Sequence, residues 1–151
     1  MLARDVAEEY PVVRGDDAAL EAAEMIAARR LPGVVVVDAS GRPVTVLPGP
    51  EVLRFLVPPY VQEDPSLARV FDERTADRCA ARLRERRVKE LLPPKEERRE
   101  LPVVAGDATV IECAAVMARL RSPLLVVTDD DHIAGVITAS RLLALLLPGV
   151  D

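Results

Sequence analysis

The side chains able to do bond chemistry are few and scattered. His132 is the only histidine, and Cys79 and Cys113 the only cysteines, among 151 residues. A Ser–His–Asp relay, a thiolate–imidazole pair or a histidine-rich metal centre therefore lacks its parts. The two cysteines have no metal-ligand spacing, and each falls at an apolar position of an expected helix, so both read as small buried hydrophobes. Asp129-Asp130-Asp131 is a dense carboxylate cluster. Three consecutive turn residues cannot all converge on one cation, and the run reads as a solvated turn shared with His132. There is no glycine-rich phosphate loop and no pair of carboxylates set on one helix face. The expectation is a protein without catalytic residues or a metal site.

Charge is the next signal. The chain carries a formal −5, distributed as −5 over residues 1–64, +4 over 65–99 and −4 over 100–151. The basic middle holds Arg82, Arg84, Arg86, Arg87 and Lys89, then Lys95, Arg98 and Arg99. No aromatic residues interleave for base stacking and the flanks are acidic, so a solvated helix face is favoured over a nucleic-acid surface. Arg outnumbers Lys by 18 to 2, a bias that points to a GC-rich, bacterial genome. No apolar run reaches the roughly 18 residues needed to cross a bilayer. Charges at Arg4, Asp5, Glu8 and Glu9 stand where a signal peptide would need an apolar segment, so the expected location is cytoplasmic, with no membrane partner.

The elements that would position any site come in duplicate. Val12-Val13-Arg14-Gly15-Asp16-Asp17 is echoed by Val103-Val104-Ala105-Gly106-Asp107-Ala108. A helix follows each copy, then an apolar strand (Val34–Val37, Leu124–Thr128), a polar turn, a second strand and a closing helix. The register is 91 residues through the first helix and 90 from the strand onward, which places a one-residue deletion at the helix-to-strand turn. Asp16 or Asp17 is placed to cap the first helix, whose apolar face is read at Leu20, Ala23, Glu24 and Ala27 with Met25 and Ile26. Only 3% of residues are aromatic while half are hydrophobic, so the core must be built from Val, Leu, Ile and Ala. Two copies of one unit imply a pseudo-symmetric pair. The expected organisation is a first unit at 1–57, a helical, basic linker at 58–87 and a second unit at 88–151. In the linker, Asp64-Pro65 reads as a helix start and Ala76, Cys79, Ala80 and Leu83 form an apolar stripe.

Gly135-Val136-Ile137-Thr138-Ala139-Ser140-Arg141-Leu142-Leu143, with Gly41-Arg42-Pro43-Val44-Thr45-Val46-Leu47 and Glu51-Val52-Leu53 as its weaker partner, resembles the cystathionine β-synthase (CBS) domain family. The likeness covers residues 1–57 and 88–148. It implies an α+β fold of two β-α-β-β-α units packed through their sheets, often assembled as flat dimers. It also implies an adenosine-containing nucleotide in the cleft between the units: AMP, ADP, ATP, NAD or S-adenosylmethionine. In the family, apolar strand-end residues and backbone hold the base, a hydroxyl before the last helix meets phosphate, and an Asp three residues later binds the ribose. Thr138 supplies that hydroxyl in the second copy, but the Asp position is Arg141. Glu51 keeps the acid in the first copy, but the hydroxyl position is Pro48. Thr109, Pro123 and Leu124 match base-contacting positions.

A carboxylate accepts from two ribose hydroxyls at once, whereas a guanidinium only donates and suits phosphate better. With Thr138 at a helix N-terminus, Arg141 points to phosphate binding. The bland reading is that Thr138 caps the helix, Arg141 is solvated, and Glu51 favours its helix N-terminus by charge. The expected function is a regulatory module that senses a nucleotide and signals to a protein partner as a homodimer. The alternative is a ligand-free interaction scaffold whose basic linker is the working surface.

Overall fold

The computed structural model describes residues 1–149. The fold is mixed α+β. Its elements run α1 (Ala3–Val6), β1 (Val12–Arg14), α2 (Ala19–Arg29), β2 (Gly33–Val37), β3 (Pro43–Pro48), α3 (Gly49–Leu56), α4 (Pro59–Glu63), a 3-10 turn at Pro65–Val70, α5 (Glu73–Arg84), α6 (Val88–Leu91), a 3-10 turn at Lys95–Glu97, β4 (Val103–Ala105), α7 (Val110–Leu120), β5 (Leu124–Asp129), β6 (His132–Thr138) and α8 (Ala139–Leu146). Two three-stranded sheets result, ordered β1-β2-β3 and β4-β5-β6. Among the described residues, no helix is long and apolar enough to cross a membrane.

The repeat is visible bond by bond. Helices α2 and α7 begin and end at equivalent positions, and each stops at an arginine in the left-handed region, Arg30 (φ 52°) and Arg121 (φ 51°). The following amide reaches back to Ile26 O in one copy and Met117 O in the other, the wrap that ends many helices. The Gly49 amide then donates to Pro32 O, and the Ala139 amide to Pro123 O. Pro32 and Pro123 still differ by 91, whereas Gly49 and Ala139 differ by 90. The one-residue deletion therefore lies in the strand-to-strand turn, not before the strand as the sequence register suggests. The first copy turns through Asp38–Arg42, with Gly41 at φ 85° and the Asp38 carboxylate accepting from the Ser40 and Arg42 amides. The second turns in two residues, Asp130 and Asp131, both at positive φ between the paired Asp129 and His132. Two consecutive positive-φ residues twist as a hairpin requires. The acidic triplet thus serves a turn, and His132 is exposed at the start of β6.

Three other expectations change. Ala18, not Asp16 or Asp17, is the N-cap of α2 and offers no side-chain oxygen. The Asp17 carboxylate instead accepts from the Arg14 amide. The helix buries Ala19 and Ala22 rather than the face centred on Leu20 and Ala27. Cys113 is fully buried, and burial pushes its thiol pKa up, but Cys79 is only half-buried, its Sγ 3.8 Å from Leu56 O.

The chain forms two compact units, one from residues 1–12, 35–45 and 99 onward, the other from 13–34 and 46–98. In the first unit, β4 runs parallel to β5 and β6 antiparallel to it, pairing Leu124 with Thr138 and Val126 with Val136. Leu125, Val127, Ile137, Cys113, Met117 and Leu142 make its core, together with Ala3 and Val6 from α1. The α1 turn docks by main-chain bonds from Ala3 N to Ala108 O (2.7 Å) and Arg4 N to Gly106 O (3.0 Å). In the second unit α6 docks in the same manner, Val88 N to Asp17 O and Lys89 N to Gly15 O, both 2.9 Å. The opening turn of each copy is thus seated on the strand-to-helix loop of the other copy.

Gly135 lets this segment approach. A Cβ there would lie 2.8 Å from Ala7 Cβ and 2.9 Å from Glu8 O, and backbone cannot yield as a flexible side chain does. Gly135→Ala should cost about 1–3 kcal/mol by overpacking, read as a lowered thermal midpoint beside the smaller fall, of no more than about 1 kcal/mol, expected for Ala134→Gly on the exposed side of β6.

Candidate functional site

Thr138 ends β6 and caps α8. Its Oγ1 accepts from the Arg141 amide at 3.2 Å and lies 3.1 Å from Ser140 Oγ. A hydroxyl that accepts one hydrogen bond still has a proton to give. Because Thr138 pairs with Leu124 across the ladder and Ala139 N donates to Pro123 O, four of the expected site residues come together at one end of the β5–β6 pair: Pro123, Leu124, Thr138 and Arg141. Leu124 is fully buried there, Pro123 is exposed and Thr138 is half-buried.

Arg141 is exposed, as the bland reading expects, and also has a partner. Its Nε lies 3.5 Å from Glu8 Oε1. Glu8 is delivered by its own main chain, whose N–H donates to Val136 O (3.0 Å) and whose carbonyl accepts from Val136 N (2.9 Å). Neither Glu8 nor Ser140 was expected at this place. Ser140 could have been read from its position between Thr138 and Arg141. Glu8 carries no local signal, since it lies in the segment that crosses from the other copy.

Two expected residues stand elsewhere. Thr109 caps α7, accepting from the Glu112 amide at 3.1 Å. An eleven-residue helix, about 16 Å long, separates it from the Pro123–Leu124 end. Glu51 sits half-buried in the first turn of α3, in the other compact unit, with no hydrogen-bond or ion-pair partner among the described residues. Pro48, the N-cap of α3, provides no hydroxyl.

The basic run is largely spent on the fold. Arg82 Nη1 donates to Leu56 O, Arg87 Nη1 to Asp16 O, and Arg98 Nε to Pro93 O. Lys89 Nζ pairs with Asp16 at 2.9 Å and, chiefly by that hydrogen bond, holds the Asp16 carboxyl below its usual pKa. Arg86 lies over the Phe55 ring, 5.8 Å from its centre, and reaches Glu90. Phe55, Ala81, Arg82, Glu85 and Arg86 line an open recess of about 360 Å³. Among the described residues no group of three or more His, Cys, Asp or Glu could hold a metal ion.

Comparison with known proteins follows the same outline. The family model for the CBS domain matches residues 88–148, and no curated protein matches the chain. A CBS domain-containing protein of unknown function from Kribbella flavida is 55% identical, with 97% of this chain and 98% of that chain covered and a TM-score of 0.86. The CBS domain of a CBS domain-containing membrane protein from Sphaerobacter thermophilus is 22% identical, covering 100% of this chain and 90% of that chain at a TM-score of 0.73. CBSX2, solved in complex with AMP, is 16% identical over 94% of this chain and 92% of its own, with a TM-score of 0.65.

Proposed function

The chain belongs to the CBS domain family, and from that premise we propose a non-catalytic regulatory module that binds an adenosine-containing nucleotide at the Thr138–Arg141 end of β6 and α8. The observation that carries this reading is the convergence of Thr138, Arg141, Pro123 and Leu124 at one end of the β5–β6 pair. There a hydroxyl proton, a guanidinium and the head of a helix offer donors to phosphate, and the exposed Pro123, seated beside the buried Leu124, offers apolar surface to a base. The AMP complex of CBSX2 supports the choice of ligand class. The module acts in the cytoplasm as a homodimer and signals to a protein partner. The exposed Ile111, Leu143 and Leu147, at 67%, 55% and 50%, support an association surface.

Calorimetric titration with AMP, ADP, ATP, NAD and S-adenosylmethionine tests the reading. At least one should bind below millimolar concentration. Thr138→Val should weaken it about fivefold to tenfold, the worth of one hydrogen bond to a charged group. No heat from any of the five at millimolar ligand overturns it. The competing scaffold reading draws on the Arg141–Glu8 pair, in which the guanidinium already has its partner, and on Pro48. It predicts partner capture through the basic linker, lost on deletion of residues 65–87, with Thr138→Val indifferent.

A further inference from the structure

We infer that Glu8 is a built-in competitor for anions at Arg141 and so sets how much ligand charge the site accepts; this rests on the reading of that end as the nucleotide site. The carboxylate does not arrive by chance side-chain wandering. The reciprocal main-chain bonds of Glu8 with Val136 fix its backbone two residues before Thr138 on the neighbouring strand, and Gly135 has no side chain to hold that segment off. Glu8 Oε1 then stands 3.5 Å from Arg141 Nε, with the two side chains 65% and 43% exposed. An exposed pair of this kind contributes little to stability. Its effect on a ligand is different in kind. A phosphate that approaches the guanidinium must displace the Glu8 carboxylate or lie beside it, so the penalty rises with the charge brought in. An uncharged nucleoside meets no such penalty.

The test is titration of wild type, Glu8→Gln, Arg141→Met and the double variant with adenosine and with AMP. Glu8→Gln should tighten AMP binding roughly threefold to tenfold at low salt and leave adenosine unchanged. The gain should shrink as salt is raised and vanish when Arg141 is also replaced. Equal effects on adenosine and AMP, no effect on AMP, or a gain that survives Arg141→Met would overturn the role of Glu8 while leaving the nucleotide site standing. Failure of every protein to bind either compound would overturn the role of Glu8, and the nucleotide site falls with it when ADP, ATP, NAD and S-adenosylmethionine fail as well. Glu8→Gln keeps the main-chain bonds, so unchanged thermal midpoints mark the comparison as one of binding and not of folding.

Discussion

Val6→Asp should cost about 3–5 kcal/mol and should loosen residues some hundred positions away in sequence. Val6 is 2% exposed and belongs to the core made by Cys113, Met117, Leu125 and Ile137. A carboxylate there has no cation to pair with, and burying it unpaired is costly enough that the α1 segment would lift away instead. The loss is then capped by the free energy with which that segment docks. Hydrogen exchange locates the damage. The Val136 amide, which donates to Glu8 O, and the Ala3 and Arg4 amides, which donate to Ala108 O and Gly106 O, should lose protection first. The Lys89 and Val88 amides on Gly15 O and Asp17 O belong to the other unit and should keep theirs. Loss of protection beginning at α2 and α3, both in the other unit, would contradict the crossed docking.

Leu125→Ala should be comparably severe, at about 2–5 kcal/mol. Leu125 is fully buried, pairs with Ile137 in the ladder and lies at the centre of the first unit's core. That core has no aromatic member. Val127 and Ile137 on its strands are β-branched and stiff at χ1, and Ala3, Ala108 and Cys113 are too short to reach across, which leaves Met117 to fill a void only in part. The cavity therefore remains. Val70→Ala, at a site 84% exposed, should change stability by less than about 1 kcal/mol. Urea denaturation of both variants decides the matter: a lowered midpoint with an unchanged slope for Leu125→Ala, and near-coincident curves for Val70→Ala and wild type.

Much of the architecture can be read from the sequence because the chain states it twice. The 91-residue register recovers α2 and α7 to their last residues, and the apolar runs at Val34–Val37 and Leu124–Val127 become strands buried throughout. What local pattern cannot convey is where short elements dock. Leu2–Glu9 and Val88–Leu92 look alike as isolated amphipathic turns, but their crossed seats depend on main-chain bonds to Gly106, Ala108, Gly15 and Asp17, which no side-chain periodicity records. The same limit governs the site. Thr138 and Arg141 are found by their spacing, and Pro123 and Leu124 join them through strand pairing. Glu8 comes from 133 positions away and is invisible until the chain is folded. The cap of α2 departs from its sequence signal for a related reason: Asp17 resembles a cap by position, but its carboxylate accepts from the Arg14 amide in the tight Gly15–Asp17 loop.

The crossed seating of the opening turns also has a bearing on how the chain comes to be folded during synthesis. Residues 3–8 are made some hundred residues or more ahead of their hydrogen-bonding partners at Gly106, Ala108 and Val136. At typical translation rates of about 5–20 residues per second, the first turn waits roughly 6–26 seconds with Ala3 and Val6 uncovered. Contacts of such long sequence separation slow the final collapse, although the closure entropy grows only with the logarithm of the loop. The newborn chain therefore holds an incomplete core until β6 is out, and that interval is when this core is most open to chaperones, proteases or a second nascent copy.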